Sequence, residues 1–301
     1  MSIIEKAFQK AAVLQQRTEN HITDIKQSVS EHSKPSESNK QDVVIDLVTQ
    51  KPIKPAIKKE NRIQINWAKL IAAGFISPED TNSQLSEEYR VIKRPLVSNA
   101  LDGKNRGIAR SNLILVTSSL PGEGKTFSAI NLAISIANER DKQVLLIDAD
   151  VAKPSVSKVL DIKKSAGLIE YLEGSVKDLA DIILQTDIDG LRVIPAGKKH
   201  GYSTELLASN RMKELSVELS DRYADRIVIF DSPPLLAATQ GEVLAAMVGQ
   251  VVLVIEADQT QQNDVMESVR KLKGCDVVLA LLNKTRHNFN LNYYGYGNYG
   301  N

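Results

Sequence analysis

One short stretch constrains this chain more than any other, the segment LILVTSSLPGEGKT at residues 113–126. Its first four residues are apolar and favour β structure, so they predict a buried strand. The following residues are small and include glycines, which let the chain turn sharply and bring N–H groups close to a ligand. From Phe127 onward, apolar residues recur at helical spacing. The stretch therefore predicts a strand, a tight loop, and a helix whose N-terminal N–H dipoles point at the loop.

The loop of this stretch indicates a phosphate-binding site. It follows the pattern G-x-x-x-x-G-K-[ST], except that Ser119 replaces the first glycine. Lys125 offers a positive charge suited to β- and γ-phosphates, and Thr126 offers a hydroxyl suited to Mg²⁺. The alternative is a chance Gly-Lys-Thr in an ordinary turn. The residues that we assign to the nucleotide are Ser119, Pro121, Gly122, Glu123, Gly124, Lys125, Thr126 and Phe127.

Composition limits the classes of protein to which this chain can belong. Its 301 residues, 42% hydrophobic and 25% charged, suit one soluble α/β domain with extensions. A net charge of +1 gives no reason to expect nucleic acid as a partner. The single Cys275 cannot form an internal disulfide, which suits a reducing cytoplasm. No apolar run approaches the roughly 20 residues needed to cross a bilayer, and no signal sequence is evident.

The alternation of strands and helices predicts the fold class. We expect a mostly parallel sheet with right-handed crossovers and helices on both faces, of the P-loop NTPase type. Strands are predicted at 113–117, 143–148, 190–194, 226–231, 250–255 and 276–282. Helices are predicted at 67–73, 84–99, 125–139, 168–183, 204–223, 237–247 and 260–273. The predicted organisation is a short N-terminal helix and disordered linker (1–62), a helical oligomerisation segment (63–100), a nucleotide-binding domain (101–284) and a flexible tail (285–301).

Acidic residues follow two of the predicted strands, at the edge where such sheets bind ligands. Asp148 and Asp150 end the second predicted strand, two residues apart, so both can point the same way. One can hold Mg²⁺ through water while the other takes a proton from an attacking hydroxyl. Asp231 follows four apolar residues, the Walker B arrangement in which a carboxylate supports Mg²⁺. A helix cap or a turn is the alternative for the pair of aspartates.

The C-terminal tail is unusually rich in tyrosine. Half of the eight tyrosines lie in the last nine residues, as Tyr293, Tyr294, Tyr296 and Tyr299. Glycine and asparagine between them leave no apolar periodicity, so we expect a mobile segment. It is either a sticky low-complexity tail or, beside an ATP site, a set of phosphate acceptors.

A helical charge pattern precedes the nucleotide-binding domain. Glu87, Arg90 and Lys93 lie three residues apart and are predicted to share one helix face. That face is either solvated or a contact between subunits.

Together these features resemble the bacterial tyrosine kinases of polysaccharide export, the BY-kinases. The resemblance lies in the loop SSLPGEGKT, the Asp148-x-Asp150 strand end, the Asp231-Ser-Pro-Pro turn and the tyrosine cluster, and it spans roughly residues 84–301. Two stretches, SIIEKA and EEYRVIKRPL, are similar to the subgroup encoded with exosortase-linked systems. The family's E-x-x-R-x-x-R motif, which mediates ring assembly, has Lys93 as its last residue here.

The resemblance implies an autokinase that uses ATP and Mg²⁺ and phosphorylates its own tail in trans. It assigns Lys125 to phosphate charge, Thr126, Asp150 and Asp231 to the metal, and Asp148 to activation of the tyrosine. It also implies a homo-oligomeric ring, a counteracting phosphatase, and a separate membrane activator of the chain-length-determinant type. Through that activator the cytoplasmic chain would associate with the inner membrane and regulate exopolysaccharide polymerisation and export.

Two other functions stay open at this point. One is a positioning ATPase of the partitioning type, which carries a signature lysine where this chain has Leu120. The other is a scaffold with a degenerate nucleotide site. A scaffold of that kind would not need Lys125 and the aspartates.

Overall fold

The computed structural model describes residues 61–80, 82–223 and 225–285, all within one unit that spans Lys54–Asn301. The strands are β1 (Leu113–Ser118), β2 (Val144–Asp148), β3 (Leu184–Gln185), β4 (Leu191–Ile194), β5 (Ile227–Asp231), β6 (Gln250–Glu256) and β7 (Val277–Asn283). They form one sheet in the order β3-β4-β2-β5-β1-β6-β7. Each neighbouring pair is parallel except β3 with β4. The predicted mostly parallel sheet is confirmed.

Helices cover both faces of this sheet. They are α1 (Trp67–Ala72), α2 (Gln84–Asp102), α3 (Lys125–Ala137), α4 (Val156–Val159), α5 (Leu168–Glu173), α6 (Ser203–Leu207), α7 (Asn210–Asp221), α8 (Gln240–Ala245) and α9 (Gln262–Lys271). Side chains alternate along β1, so Leu113 and Leu115 belong to one buried cluster and Ile114 and Val116 to another. The first cluster takes residues from α5 to α8, and the second from α1 to α4.

The register of the central strands brings three functional segments to one edge of the sheet. Strand β5 lies between β1 and β2. Asp231, the last residue of β5, pairs in register with Asp148 on β2 and with Val116 on β1. Because these strands run parallel, their carboxyl ends meet where the loop after β1 begins, as ligand-binding sheets of this type require.

Two of the predicted helices are wrong in extent. The helix predicted at 168–183 ends at Glu173, because Gly174 takes a left-handed conformation with φ of 92° and stops it. A short 3₁₀ helix at Leu179–Asp181 lies in the remainder, and the antiparallel strand β3 begins just after it. The helix predicted at 204–223 is two helices, α6 and α7, because Ser209 caps a new start by accepting a hydrogen bond from the Met212 N–H.

The helical segment before the domain shares its core. Ser83 caps α2, accepting a hydrogen bond from the Ser86 N–H. Leu70 of α1 and Leu96 of α2 are fully buried in the same cluster as the β1 residues Ile114 and Val116. The predicted division at residue 100 therefore stays a prediction, since no break in packing marks it among the described residues. The segment predicted as an N-terminal helix and most of the predicted linker lie outside the described residues.

The predicted charge stripe on α2 is divided between two environments. Glu87 and Arg90 are exposed and form an ion pair with each other. Lys93 is only 7% exposed. Its Nζ lies 2.9 Å from a Glu139 carboxylate oxygen and donates to the main-chain oxygen of Ser135. The expectation of one exposed face is thus wrong for Lys93, which turns inward to the C-terminal end of α3, where unsatisfied carbonyls attract a cation.

Candidate nucleotide and phosphoryl-transfer site

The loop after β1 has the conformation that its glycines permit. Gly122 and Gly124 have φ values of 94° and 96°, in the left-handed region that side chains disfavour. Helix α3 then begins at Lys125, so its free N–H groups face the loop. The segment is the strand, loop and helix that the sequence predicts, and its backbone can cradle an anion.

Lys125 and Asp150 form an ion pair at this loop. The lysine Nζ lies 3.0 Å from a carboxylate oxygen of Asp150, and both side chains are largely buried. The other oxygen of Asp150 accepts a hydrogen bond from the Lys153 N–H. The pairing holds the lysine head beside the loop, where a phosphate would offer it a second anionic partner.

Thr126 and Asp231 form the second pair of the site. The threonine hydroxyl donates to one Asp231 oxygen at 2.7 Å, and Asp231 is fully buried. Asp148 is equally buried, and one of its oxygens accepts a hydrogen bond from the Val156 N–H at 3.1 Å. The remaining oxygen of each aspartate, Oδ1 in both cases, is buried without a hydrogen-bond partner. Two such atoms in one site indicate a place for a ligand, because burying a carboxylate oxygen without a hydrogen-bond partner costs free energy.

Burial also changes the acidity of these aspartates. Removal from water, and next the charge of Asp231, raises the pKa of Asp148 to about 8. Removal from water likewise raises the pKa of Asp231 to about 7, although Lys125 and the Thr126 hydroxyl oppose the rise. In its ionised form a carboxylate with a raised pKa is a stronger base than an ordinary aspartate, so Asp148, once ionised, is suited to accept a proton.

Glu123 organises the loop from inside. It is 3% exposed, and one carboxylate oxygen accepts a hydrogen bond from the Leu120 N–H at 2.7 Å. The other oxygen accepts from the Thr260 hydroxyl, which precedes α9. Ser268 of α9 donates to the Ser119 hydroxyl at 2.9 Å. Glu123 therefore acts on the shape of the loop, and its carboxylate already has partners on both oxygens.

Residues at the end of β7 also contact the loop, and the sequence analysis does not assign them to the site. Asn283 donates to the Glu123 carbonyl at 2.8 Å, and Lys284 donates to the Gly122 carbonyl at 2.9 Å. Lys284 also pairs with Glu256 at the end of β6. The rule that ligands gather at strand ends applies equally to β6 and β7, so these polar residues could have been found by it.

The residues present fit Mg²⁺ and a nucleotide. Among the described residues no group of three or more His, Cys, Asp or Glu side chains could hold a metal. A hydroxyl on Thr126, the nearby carboxylates and two unpaired buried oxygens are nevertheless the hard oxygen donors that Mg²⁺ accepts, with phosphate and water as further ligands. Of the predicted site residues, the tail tyrosines alone lie outside the described residues.

Comparison with known proteins finds similarity to tyrosine-protein kinases. A family model described as an AAA domain matches residues 111–275. Tyrosine-protein kinase YwqD of Bacillus subtilis is 31% identical over 236 residues, which cover 76% of this chain and 94% of YwqD. Tyrosine-protein kinase ptk of Acinetobacter johnsonii is 34% identical over 169 residues, 56% of this chain but 22% of that protein. The chain thus spans most of the first relative and under a quarter of the second.

Solved kinase domains have the same fold. The kinase domain of the Escherichia coli tyrosine kinase ETK superposes with a TM-score of 0.64 and 29% identity, covering 74% of this chain and 85% of that domain. The VpsO kinase domain superposes with a TM-score of 0.56 and 33% identity, covering 67% of this chain and 96% of that one.

Proposed function

We propose that this chain, which belongs to the family of bacterial tyrosine-protein kinases, transfers the γ-phosphoryl group of ATP to tyrosine hydroxyls. One observation supports this most directly: Lys125, Thr126 and three buried aspartates converge on a glycine-bearing loop at a helix N-terminus. That arrangement positions phosphates and neutralises charge, which is most of what phosphoryl transfer needs from a protein.

The loop and α3 hold the phosphates in this proposal. The backbone N–H groups and Lys125 bind phosphate oxygens, and Lys125 exchanges its pairing with Asp150 for the nucleotide. Thr126, Asp150 and Asp231 hold Mg²⁺, directly or through water. The bound Mg²⁺ supplies positive charge that stabilises the phosphate oxygens during transfer.

Asp148 acts on the tyrosine. The phenol oxygen forms a bond to the γ-phosphorus while the bond from that phosphorus to the bridging oxygen of ADP breaks, and the phenolic proton passes to Asp148. An unperturbed tyrosine has a pKa of about 10, so it needs a base. The raised pKa of Asp148, caused first by burial, brings the two groups closer in acidity.

The acceptors that we propose are Tyr293, Tyr294, Tyr296 and Tyr299 of another copy of the chain. The 18 residues after Asn283 extend at most roughly 60 Å, enough to reach a neighbouring subunit. An oligomeric ring, assembled partly through Glu87 and Arg90, would bring tails and sites together.

The partners in the proposal follow the family resemblance. None of the described helices combines the length and hydrophobicity that crossing a bilayer requires. As the family resemblance implies, we assign activation to a separate membrane protein of the chain-length-determinant type, which would recruit the chain to the inner membrane. A phosphatase would reset the tail, and the pathway regulated would be exopolysaccharide polymerisation and export.

A positioning ATPase without kinase activity is less well supported. Such proteins use a signature lysine in the loop, and the residue at that place is Leu120, which is partly exposed and carries no charge. The curated relatives are named as tyrosine-protein kinases.

The test is to incubate the purified chain with Mg²⁺ and labelled ATP and to map the label by mass spectrometry. We expect phosphotyrosine in the last nine residues and none in a Lys125→Met variant. A wild-type chain that hydrolyses ATP and never labels tyrosine, with or without the membrane activator, would overturn the proposal.

A further inference from the structure

A second cleft lies beside the proposed catalytic carboxylates and has not been given a role. It has a volume of about 590 Å³ and lies between the segment after β2 and the segment after β4. Its lining consists of Pro154, Ser157, Ile162, Lys163, Lys164, Ser165, Ala166, Pro195, Gly197, Lys198 and Lys199. No acidic residue is among them.

Four lysines make this cleft cationic. Lys163 and Lys164 come from one wall and Lys198 and Lys199 from the other, and all four are exposed. Within the described parts of the chain, none of the four forms a salt bridge. Four ammonium groups around one concavity repel each other, so a bound anion would be favoured by several of them at once.

The position of the walls is fixed by a buried carboxylate. Glu170, 7% exposed, accepts hydrogen bonds from the Gly167 N–H at 2.8 Å and from the Lys198 N–H at 3.0 Å. A Cβ on Gly197 would lie 2.0 Å from a Glu170 oxygen. Glu170 therefore ties the Lys198 wall to the start of α5. Both of its oxygens accept from main-chain N–H groups, not from the lysine ammonium groups.

The cleft is joined to the catalytic loop. Asp148 accepts a hydrogen bond from Val156, and Asp150 accepts one from Lys153. Pro154 and Ser157, on either side of Val156, line the cleft. A ligand in the cleft would thus contact the same short segment that holds the two carboxylates.

The lining selects an amphiphilic anion. Ile162, Ala166 and the two prolines give the cleft an apolar part, while the lysines surround it with charge. A phosphotyrosine has this combination, with an aromatic ring that gains from burial and a phosphate of about −1.5 to −2 charge at pH 7. The surface of an anionic membrane, the other candidate ligand, has no group that would fill a concave apolar pocket.

The chain's own tail gains this character only on modification. Residues 286–301 contain one arginine, one histidine and no acidic residue. Unmodified, the tail is therefore repelled by the four lysines. Each phosphate reverses that balance by about two charges.

We infer that the lysine cleft binds phosphotyrosine of a tail that is already partly phosphorylated, and so holds the next tyrosine of that tail at the catalytic loop. The inference rests on the proposed kinase function. It makes phosphorylation of the cluster processive, because the first phosphate raises the chance that the same tail is modified again before it dissociates.

Binding is tested first, with a synthetic fluorescent peptide of residues 289–301. We expect the peptide carrying phosphate on Tyr296 and Tyr299 to bind the full chain at least tenfold more tightly than the unmodified peptide. Changing the four lysines to alanine should remove that difference. The matched control changes four exposed lysines elsewhere, so that net charge falls equally, at Lys69, Lys177, Lys213 and Lys273. The control should bind within twofold of wild type.

Three further arms identify the site and the ligand. Saturating Mg²⁺–ADP should leave peptide binding in place, since the cleft is separate from the nucleotide loop. Inorganic phosphate at the peptide's concentration should not displace it, because free phosphate lacks the ring. Vesicles with 30% anionic lipid should bind the wild type and the lysine variant alike. The inference would be overturned if both peptides bound equally, or if ADP displaced the peptide. It would also be overturned if the four lysines were needed for vesicle binding and not for peptide binding.

A kinetic readout separates this inference from the proposed function. With wild type, intact-mass spectra taken early should show tails with two or more phosphates beside unmodified tails. The lysine variant should accumulate singly phosphorylated tails first, with the initial rate of label within about twofold of wild type. If the chain had no kinase activity but bound the phosphorylated peptide more tightly, the proposed function would be wrong and phosphotyrosine binding by the cleft would be supported.

Discussion

The side-chain amide of Asn283 donates a hydrogen bond to the main-chain oxygen of Glu123, 2.8 Å away, and so joins the last strand to the phosphate-binding loop. Two residues separate Asn283 from the end of the described chain, after which the tyrosine-rich tail begins. A Cβ on Gly124 would lie 2.1 Å from the same amide nitrogen. The loop therefore keeps its shape partly through the residue from which the tail departs.

Replacing Asn283 with Asp should weaken the loop without changing side-chain shape. The carboxylate cannot donate to the Glu123 carbonyl, so a hydrogen bond is lost and two oxygens oppose each other, at a cost of about 1–3 kcal/mol. For a domain of this size each kcal/mol lowers Tm by about 2–4 °C. We expect that loss in a thermal melt, together with weaker binding of a fluorescent ATP analogue.

A second substitution makes this result specific. Asn288→Asp lies outside the described residues and alters charge by the same amount within the tail. It should leave both nucleotide affinity and Tm close to wild type. Equal losses in the two variants would show that charge near the C-terminus, and not the contact with Glu123, is responsible.

The buried aspartates should make the nucleotide-free protein less stable as pH rises. Burial raises the pKa of Asp148 to about 8 and of Asp231 to about 7, against about 3.9 for an aspartate in the unfolded chain. Above pH 4 the folded state holds protons that the unfolded state has released, so the free energy of unfolding falls with pH until both groups ionise. Tm without nucleotide should therefore be lower at pH 8.5 than at pH 6.

Asp148→Asn provides the check on that pH effect. An amide carries no charge at either pH, so the variant should lose part of the dependence and be more stable than wild type at pH 8.5. It should also fail to phosphorylate tyrosine. A variant that keeps the full slope of Tm against pH would assign the dependence to other groups.

The two environments on α2 predict different consequences for its three charged residues. Lys93→Ala leaves the Ser135 carbonyl and Glu139 without their cation, so we expect a fall in Tm of several degrees. The double change Glu87→Ala with Arg90→Ala removes an exposed pair, which contributes about 0–1 kcal/mol to folding. It should lower the mass measured by light scattering with Tm nearly unchanged.

Lys93→Arg is the conservative control, since it keeps the charge beside Glu139. It should retain both assembly and most of the stability. If Lys93→Ala instead reduced the oligomer mass while leaving Tm unchanged, Lys93 would act at the subunit contact and not inside the protomer.

The sequence predicted those parts of the site that are encoded by neighbouring residues. Gly124, Lys125 and Thr126 follow a strand directly, and Asp148 and Asp231 end strands, so local pattern and sheet topology suffice to bring them together. The sequence pattern does not indicate the break before α7, because Ser209 acts as a cap only where the preceding helix has ended. The sequence pattern predicts Lys93 on the surface because its partner Glu139 is distant in sequence, just beyond the C-terminal end of α3.

Mixing two inactive chains tests whether the tail is phosphorylated between subunits. The Lys125→Met chain keeps its tyrosines but lacks the phosphate-binding charge, and a second chain has Tyr293, Tyr294, Tyr296 and Tyr299 all changed to Phe. Neither should label its tail alone. Because 18 residues follow Asn283 and extend at most roughly 60 Å, a tail can reach a neighbour's loop, so label should appear on the Lys125→Met chain in the mixture. Continued absence of label, with both chains folded and shown by light scattering to associate, would exclude transfer between subunits.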